Sequence, residues 1–372
     1  MPSTGKPIEN LAASLQSAYP ELTALREAAS DPVYLVGGAV RDLLLGRGRA
    51  DIDVVVEGDA GALAARLGAG AVEHERFATA KVELDGHEVD VAAARAETYP
   101  YPGALPEVVP AAGIEADLGR RDFTINAMAI PLVEEPELID PHGGRGDLEL
   151  GLLRVLHPNS FVDDPTRALR AARYAARFGF ALEPATAELL RATDLATVSA
   201  DRRQAELLRL AAEATAPTAL ALLVEWGVIE PRQGGVALAA RAAELLAAPP
   251  WEDVAPRPRA LLAAVLGPAA GEYDLATAEP GRPSRAVELA RGRDAVELVL
   301  ARALGAEWLD DYVERWRSVE LEIDGADLIA AGVPQGPALG RGLAAALSAK
   351  LDGEAKTRAQ ELAIALAVAE SQ

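Results

Sequence analysis

The stretch VGGAVRDLLLGRGRADIDVVV, residues 36–56, combines a Gly-Gly turn with two aspartates that stand one residue apart. Side chains alternate between the two faces of a strand, so Asp51 and Asp53 are expected to point the same way at the start of a strand over residues 52–56. The apolar, β-branched content of that run is typical of a buried strand. Two carboxylates on a rigid strand suit hard cations such as Mg²⁺, which also bind phosphate oxygens. The pattern therefore predicts a magnesium site.

The two glycines, Gly37 and Gly38, lie between a predicted strand over 33–36 and a predicted helix that begins near residue 39. Glycines at such a turn let backbone N–H groups approach a phosphate, and a helix N-terminus favours negative charge. Arg41, one turn into the helix, is expected to reach the same anion. The alternative is a simple tight turn beside solvated aspartates. The joint spacing of the two features favours phosphate binding.

The GGAVRD and DID segments resemble the first signature of the family of class II tRNA nucleotidyltransferases and bacterial poly(A) polymerases, within the DNA polymerase β superfamily. Three further segments are similar to later signatures of that family, in the same order: RRDFTINAMAI (120–130), IDPHGGRGDL (139–148) and DDPTRALRAARYAARFGF (163–180). The family usually has Glu-Asp where the last segment begins with Asp163 and Asp164. Four ordered segments are a more specific signal than a lone motif.

The RRDFTINAMAI segment places two arginines before Asp122 and an apolar run. A guanidinium group can donate two parallel hydrogen bonds to phosphate oxygens. The resemblance assigns this triphosphate-binding role to Arg121 and gives Arg120 no clear role. It also places Asp122 and Asn126 in the nucleotide site. By composition alone, Asp122 would instead cap a short helix whose start the arginines solvate.

The DDPTR segment predicts a helix that begins at Pro165, with Asp164 as its N-cap, so a purely structural role for Asp164 is open. One face of the predicted helix is basic, with arginines at i, i+3, i+6 and i+10: Arg167, Arg170, Arg173 and Arg177. Such a stripe is ordinarily a solvated face, but the opposite face already offers side chains for packing, namely Leu169, Ala172, Tyr174 and Ala176. The arginines are therefore available for phosphates or bases.

The resemblance gives these residues specific roles. It implies that Asp164 and Arg167 offer hydrogen-bonding edges to an incoming C or A, since an aspartate accepts and an arginine donates. It places Arg170 and Arg173 near the nucleotide phosphates. Asp90, in the strand-like segment HEVDVAA, fits the position of the third catalytic carboxylate, although a solvent-facing strand residue is the alternative.

The resemblance implies an α+β nucleotidyltransferase head, with a mixed or antiparallel sheet and helices, followed by an all-α neck, body and tail. The expected domains are the head at 1–150, a neck for base selection and RNA binding at 151–230, and a body and tail that contact tRNA at 231–372. The implied reaction adds C and A from CTP and ATP to the tRNA 3′ end, with Mg²⁺ and without a template. The alternatives are a CC-adding or A-adding enzyme, a poly(A) polymerase, and an inactive RNA- or nucleotide-binding module.

Several other segments carry narrower expectations. Residues 1 to about 30 are expected to hold one amphipathic helix, and the Pro- and Gly-rich stretch 96–116 is expected to be a loop. Arg202 and Arg203, at the start of a predicted neck helix, are candidate RNA contacts or a solvated helix start. The stretch 323–347 predicts turn glycines that lead into a helix.

Composition limits the alternatives. The 372 residues contain no cysteine, which excludes disulfides and thiolate metal sites, and the histidines form no HD pair. No run of about 18 apolar residues predicts a membrane span, so a cytoplasmic location is expected. The net charge of −21 fits poorly with RNA binding, and it predicts weak, salt-sensitive contact through a local basic groove. The sequence does not predict the oligomeric state.

Overall fold

The computed structural model describes residues 10–48, 51–68, 79–267 and 273–371. The chain divides into two compact units, residues 1–210 with 221–229, and residues 211–220 with 230–372. None of the helices in the described ranges is long and apolar enough to cross a membrane. The three-part division expected at 150 and 230 stays a prediction.

The first unit is built on a five-stranded mixed sheet, which confirms the predicted α+β head. Its strands are β1 Val33–Val36, β2 Ile52–Val56, β3 Thr79–Leu84, β4 His87–Ala93 and β7 Ala129–Pro131, and a separate two-stranded ribbon contains β5 Arg95–Thr98 and β6 Glu107–Pro110. The spatial order of the sheet is β3-β4-β2-β1-β7. Strands β2 and β4 run parallel, and the other neighbours are antiparallel.

The two faces of strand β2 have different surroundings. Alternate residues of β2 enter the larger hydrophobic core, whereas Val55 packs on the other face of the sheet with Leu118. Because side chains alternate along a strand, Asp53 lies on the same face as Val55. Asp90 of β4 is the register partner of Asp53. The parallel pairing thus places two carboxylates from distant sequence positions on one face.

Helices cover the sheet and continue through the rest of the first unit. In chain order they are α1 Leu11–Ala18, α2 Leu22–Ala28, α3 Gly38–Leu44, α4 Ala60–Arg66, α5 Ile114–Gly119, α6 Gly144–Leu150, α7 Ser160–Asp163, α8 Thr166–Phe178, α9 Pro184–Arg191, α10 Ala200–Ala212 and α11 Ala216–Glu225. The predicted all-α region after residue 150 also contains two short parallel strands, β8 Leu152–Leu153 and β9 Ala181–Leu182. They are too short to alter its helical character.

The single amphipathic helix expected over residues 1–30 is wrong. The structure has two helices there, α1 and α2, and residues 1–9 lie outside the described ranges. The helices are separated at Tyr19 and Pro20, where proline lacks the N–H that would continue α1. Both helices still bury apolar side chains, among them Leu15 and Leu25, so the predicted amphipathic character holds.

The loop expected over residues 96–116 is also wrong in part. Strands β5 and β6 pair antiparallel, with Glu97 opposite Val108, and only residues 99–106 connect them. The prolines lie in that connection and at the end of β6, where they remove few ladder hydrogen bonds. Helix α5 follows directly, and its Ile114 N–H donates to Glu57 Oε1 at 2.6 Å.

The second unit is helical in its described residues, as the sequence predicts. Its remaining helices are α12 Gly235–Leu245, α13 Arg257–Leu266, α14 Pro283–Ala290, α15 Ala295–Leu304, α16 Trp308–Glu314, α17 Gly325–Ala330, α18 Pro337–Leu351 and α19 Arg358–Glu370. The predicted turn-then-helix over 323–347 corresponds to α17 and α18. A Cβ on Gly342 would lie 2.6 Å from the Ala365 carbonyl oxygen, so glycine permits the close approach of α18 and α19.

Candidate active site

A polar cavity of about 510 Å³ lies in the first unit, between the Gly37 turn, the start of β2, the segment before β7, and helix α8. Twelve of the fifteen predicted site residues line it: Gly37, Gly38, Arg41, Asp51, Asp53, Arg121, Asp122, Asn126, Asp164, Arg167, Arg170 and Arg173. Asp90, Arg202 and Arg203 are not among its lining residues. Three of the four sequence signatures therefore meet at one cavity, and the segment 139–148 contributes none of its lining residues.

The strand end carries negative charge that the protein only partly compensates. Burial raises the pKa of Asp53; Arg121 opposes this rise, and Asp90 and Asp51 add to it. Asp90 itself is half exposed and lies 3.5 Å from Lys81 Nζ. A carboxylate with a raised pKa beside two other acids is an environment that a bound cation would stabilise.

The two carboxylates suit a hard divalent ion that takes its remaining ligands from a substrate. Among the described residues, no group of three or more His, Cys, Asp or Glu side chains could hold a metal ion on its own. Mg²⁺ is commonly held by one or two carboxylates together with substrate phosphates, rather than by a complete protein cage. Asp51 and Asp53 therefore fit a metal that binds with a nucleotide.

The glycine turn brings a guanidinium group close to the backbone. Gly37 has φ +67°, and a Cβ at this position would lie 2.7 Å from Arg121 Nη1. Arg121 Nη2 is held by Asp117 Oδ2 at 2.9 Å, and the buried Nε has no hydrogen-bond partner among the described residues. Glycine is thus needed here for its backbone conformation and for the space that Arg121 occupies.

Arg41 lines the cavity, and internal acceptors bind two of its guanidinium nitrogens, Nε and Nη1. Its side chain is almost fully buried, with Nε donating to Asp42 Oδ1 at 2.7 Å and Nη1 to Asn126 Oδ1 at 2.6 Å. The guanidinium also lies over the ring of Phe178, 4.6 Å from its centroid. In this conformation Arg41 orients Asn126, and its predicted phosphate contact stays a prediction.

Asp122 is the centre of a buried hydrogen-bond network. Its Oδ1 accepts from the Phe123 N–H and from Asn126 Nδ2, both at 2.9 Å, and its Oδ2 accepts from Arg170 Nε at 3.0 Å. Burial alone would raise the pKa of Asp122, but Arg170, Asn126 and the other donors outweigh burial and lower it. The network fixes the orientation of Arg170 on the cavity wall.

Asp164 has the structural role at the helix start that the sequence left open, and its base-reading role stays a prediction. Its Oδ1 accepts from the Thr166 N–H at 3.1 Å, close to the N-cap predicted from Pro165, although α8 begins one residue later than expected. It also lies 3.3 Å from Arg170 Nη2 and 3.1 Å from Arg202 Nη2. Burial opposes ionisation, yet Arg170, the Thr166 hydroxyl and Arg202 outweigh it and lower the pKa of Asp164.

Arg167 is the least satisfied cation of helix α8 in the described structure. Its side chain is 2% exposed, and Nη2 donates to the Arg120 carbonyl oxygen at 2.9 Å. Its Nε and Nη1 are buried without hydrogen-bond partners among the described residues. Such donors are costly to leave unpaired, which favours a ligand that would accept from them.

Tyr174 packs against the hydrophobic core, as the sequence predicted. It also lines the cavity, and the guanidinium of Arg173 lies 4.8 Å from its ring centroid. Its ring also packs edge-on against Phe123, with the centroids 5.9 Å apart. Tyr174 therefore supports a cavity arginine.

Sequence reasoning left further polar residues of this region out of the predicted site, among them Asp42 and Arg177, which also line the cavity. Glu97 and Tyr99 of the β5–β6 ribbon line the cavity, and Tyr99 Oη lies 3.2 Å from Glu97 Oε2. Arg120 pairs with Glu97 and with Asp117, both at 2.9 Å. The spacing of Asp117 from the two following arginines, i+3 and i+4, is a helical signal that could have identified it. No comparable pattern marks Glu97 or Tyr99.

Arg202 and Arg203 bind internal acceptors. Arg202 Nη1 donates to the carbonyl oxygens of Gly103 at 2.9 Å and Ala104 at 3.3 Å, in addition to its contact with Asp164. Arg203 Nη1 donates to the Leu195 carbonyl oxygen at 3.3 Å. Their assignment as RNA contacts stays a prediction, and the structure gives Arg202 a second role in holding the ribbon.

Comparison with known proteins identifies relatives of this site and fold. The Poly A polymerase head domain family matches residues 33–154. An A-adding tRNA nucleotidyltransferase from Halalkalibacterium halodurans is 46% identical over 194 residues, which is 49% of this chain and 45% of the relative. A CC-adding tRNA nucleotidyltransferase from Deinococcus radiodurans is 36% identical over 353 residues, 90% of this chain and 89% of the relative.

A solved structure agrees along nearly the whole chain. The Thermotoga maritima CCA-adding enzyme complexed with tRNA superposes with a TM-score of 0.77 at 29% identity, over 98% of this chain and 97% of that one. This chain spans less than half the length of the A-adding relatives with which it shares the head. Nucleotidyltransferases of this fold generally use a divalent metal ion. The nearly full-length match to the Deinococcus enzyme, with three of the four signatures lining one cavity, shows that the chain belongs to the class II tRNA nucleotidyltransferase family.

Proposed function

We propose that this protein extends the 3′ end of tRNA with C and A nucleotides from CTP and ATP, without a template, and that CCA is the complete product. The observation that carries the proposal is the single cavity that joins the strand carboxylates, Arg121 beside Gly37, and the base-reading pair on α8. The chemistry of metal, triphosphate and base recognition can all take place within it.

At the strand end, Asp51 and Asp53 would hold Mg²⁺, with Asp90 as the third carboxylate on the same face. When bound, Mg²⁺ lowers the pKa of a nearby hydroxyl and neutralises phosphate charge. In the reaction, the RNA 3′-hydroxyl oxygen forms a bond to the α-phosphorus, and the bond from that phosphorus to the β-phosphate oxygen breaks. The hydroxyl proton is lost, and pyrophosphate leaves.

The triphosphate would lie against Gly37, Gly38 and Arg121, with Arg173 on the opposite wall. Arg121 suits this role because its Nε is unpaired while Asp117 fixes its Nη2. Arg170 is fixed by Asp122 and Asp164, so it supplies an oriented positive charge to the phosphates. Preorganised donors of this kind stabilise charge without rearranging during the reaction.

Base reading would combine Arg167 and Asp164. The unpaired Nε and Nη1 of Arg167 can donate to the ring nitrogen of C or A, and a carboxylate oxygen of Asp164 can accept from the exocyclic amino group. A uracil edge presents the opposite order of donor and acceptor, so the same pair disfavours UTP. The two buried Arg167 donors give the strongest support to this assignment.

A CC-adding enzyme is the second candidate. It is favoured by the Deinococcus relative, which matches 90% of this chain and carries that name. The cavity residues that would read C and A are shared by both candidates, so the choice depends on whether A follows the second C.

The test uses three tRNA transcripts that end before the CCA sequence, after one C, or after two, each with CTP, ATP or both, and with gel analysis of product length. A CCA-adding enzyme extends the first transcript by two with CTP alone and by three with both nucleotides. A CC-adding enzyme stops at two, an A-adding enzyme extends only the CC-ending transcript, and a poly(A) polymerase makes long A tracts. Asp53→Ala is the control, and incorporation by that variant would support an inactive binding module whose apparent activity is a contaminant.

Metal dependence is tested in the same assay by removing divalent ions with a chelator and adding back Mg²⁺, Mn²⁺ or Ca²⁺. We expect Mg²⁺ to restore extension and Ca²⁺ to restore little, because Ca²⁺ is larger and binds in a more flexible geometry. Full activity in the chelator would overturn the assignment of the strand carboxylates. The expected cytoplasmic location stays a prediction.

A further inference from the structure

The connection between β5 and β6 contains an anchored β-turn, Tyr101–Ala104. The Ala104 N–H donates to the Tyr101 carbonyl oxygen at 3.1 Å, with Pro102 at the second position and Gly103, at φ +71°, at the third. This is the residue pattern of a type II turn. The turn therefore has a defined backbone conformation.

Three contacts hold the turn against the following helices. The Gly103 N–H donates to the Val162 carbonyl oxygen at 3.1 Å, and Arg202 binds the carbonyls of Gly103 and Ala104. A Cβ on Gly103 would lie 2.6 Å from the Thr197 carbonyl oxygen, so the backbones approach as closely as glycine allows. Gly103 and Ala104 are buried by these contacts.

The anchored turn nevertheless exposes large apolar side chains on both sides. Tyr101 is 67% exposed and Leu105 is 64% exposed, and Val162, which the turn contacts through its backbone, is 47% exposed. Exposed apolar residues on a well-held element often mark a binding surface. The patch is too small for a stable protein partner, which would need roughly 800 Å² on each side and 20 to 30 residues.

The patch lies beside the base-reading pair. One guanidinium group, that of Arg202, contacts both the turn and Asp164 Oδ1, and Val162 stands two residues before Asp164. Tyr99, two residues before Tyr101, lines the cavity itself. A chain that enters the cavity with its 3′ end near Asp53 would leave its preceding nucleotides at this rim.

We propose that Tyr101 and Leu105 form a stacking platform for the single-stranded 3′ end of the RNA acceptor. The proposal rests on the proposed function, since it names how that site holds its second substrate. The terminal bases change with every nucleotide added, so a contact that holds them must tolerate sequence. Stacking on an aromatic ring does so because every base has a π face.

The test compares wild type, Tyr101→Ala, Tyr101→Phe and Val109→Ala, a control at another exposed apolar residue of the same ribbon. The probe is an RNA acceptor hairpin with 2-aminopurine in its single-stranded 3′ end, at the nucleotide before the 3′-terminal one, titrated without CTP or ATP. We expect fluorescence quenching with wild type and Tyr101→Phe, and a Kd about tenfold weaker with reduced quenching for Tyr101→Ala. In extension assays the KM for RNA rises while the KM for CTP at saturating RNA is unchanged.

Equal affinity and quenching for Tyr101→Ala and Val109→Ala would overturn the platform, and so would an effect on the KM for CTP alone. If sedimentation shows that wild type self-associates and Tyr101→Ala does not, the patch is a contact between copies of the chain. Failure of wild type to extend any transcript contradicts the proposed function instead. Thermal unfolding should be unchanged by Tyr101→Ala, because the ring is largely solvated.

Discussion

The carboxylates at the strand end of the cavity and those beside helix α8 have different electrostatic surroundings. At the strand end, burial raises the pKa of Asp53, and two neighbouring acids raise it further against the opposition of Arg121. Beneath helix α8, arginines and other donors outweigh burial and lower the pKa values of Asp122 and Asp164. On the helix side the acids are therefore already paired with cations of the protein, whereas on the strand side the acids lack a full set of positive partners in the described part of the chain.

The largest effect is expected from the strand side. Asp53→Ala should reduce nucleotide incorporation by about 10³-fold or more, because it removes a carboxylate that would hold the catalytic metal. Thermal unfolding should be retained or slightly improved, since burial disfavours the Asp53 charge in the folded state. The measurements are labelled CTP incorporation and a melting curve. Glu83→Ala, at an exposed acid of strand β3, is the control, and an equal loss there would contradict the assignment.

On the helix side the loss should be one of stability. Asp122→Asn breaks a buried ion pair with Arg170, and we expect the free energy of unfolding to fall by about 3 kcal/mol at pH 7. Glu115→Gln, at an exposed acid of α5, should change it by less than about 0.5 kcal/mol. Denaturant unfolding measures both. An equal decrease in the free energy of unfolding of the two variants would show that Asp122 matters no more for stability than an exposed acid does.

The Asp122→Asn variant also tests how stability depends on pH. Because the pKa of Asp122 is lowered on folding, its stabilisation is complete above the ordinary carboxyl pKa, about 4, and is lost as pH falls through the lower folded value. The stability of wild type should thus decrease more between pH 5 and pH 3 than that of Asp122→Asn. Asp53 contributes with the opposite sign, since its folded pKa is raised.

The close approach of Gly37 to Arg121 is tested by comparing substitutions at the two glycines. Gly37→Ala places a methyl group 2.7 Å from Arg121 Nη1 in a left-handed backbone conformation, and it should cost about 1–2 kcal/mol of stability and raise the KM for CTP. Gly38→Ala meets only the flexible end of Arg41, at 3.4 Å, and should leave stability within about 0.5 kcal/mol. Similar unfolding midpoints for both variants would show that Gly37 is an ordinary turn residue.

The smallest effect concerns the two arginines of helix α10, Arg202 and Arg203. Arg202→Ala should lower stability by about 1 kcal/mol, because it removes one partner of Asp164 and the donor to two carbonyl groups, and Arg203→Ala should lower it less. RNA binding measured against salt concentration distinguishes this internal role of Arg202 from a contact with an RNA phosphate. We expect the slope of log K against log salt to be unchanged for Arg202→Ala. A decrease of about one unit would instead assign Arg202 to the RNA.

The sequence predicted what depends on local pattern. The strand over 52–56, the glycine turn and the basic face of α8 each follow from spacing within one segment, and the structure has all three. The ribbon at 95–110 was mistaken for a loop because its prolines and glycines lie in and beside the connection, and they obscured two short strands. Local pattern predicted that Tyr174 packs, but it did not show that the same side chain lines the cavity, because helical spacing does not tell which neighbour covers a face.

What the sequence could not predict depends on distant partners. Arg202 meets carbonyl groups about 100 positions earlier in the chain, and Arg41 meets Asn126, 85 positions later. Neither contact leaves a periodic signal, since backbone carbonyls and single amides occur everywhere. The resemblance to a family identified most of the residues that line the cavity. Only the structure distinguishes the arginines with unpaired donors from those that internal acceptors hold.

The parallel pairing of β2 with β4 has a consequence for how the acidic pair can be lost. Asp53 and Asp90 are set side by side by backbone hydrogen bonds, although 36 residues separate them in the chain. Those residues include α4 and β3, whose buried side chains Leu63 and Val82 belong to the same hydrophobic core as β2. A one-residue slip of β2 against β4 would therefore separate the two carboxylates even in a chain that keeps both aspartates.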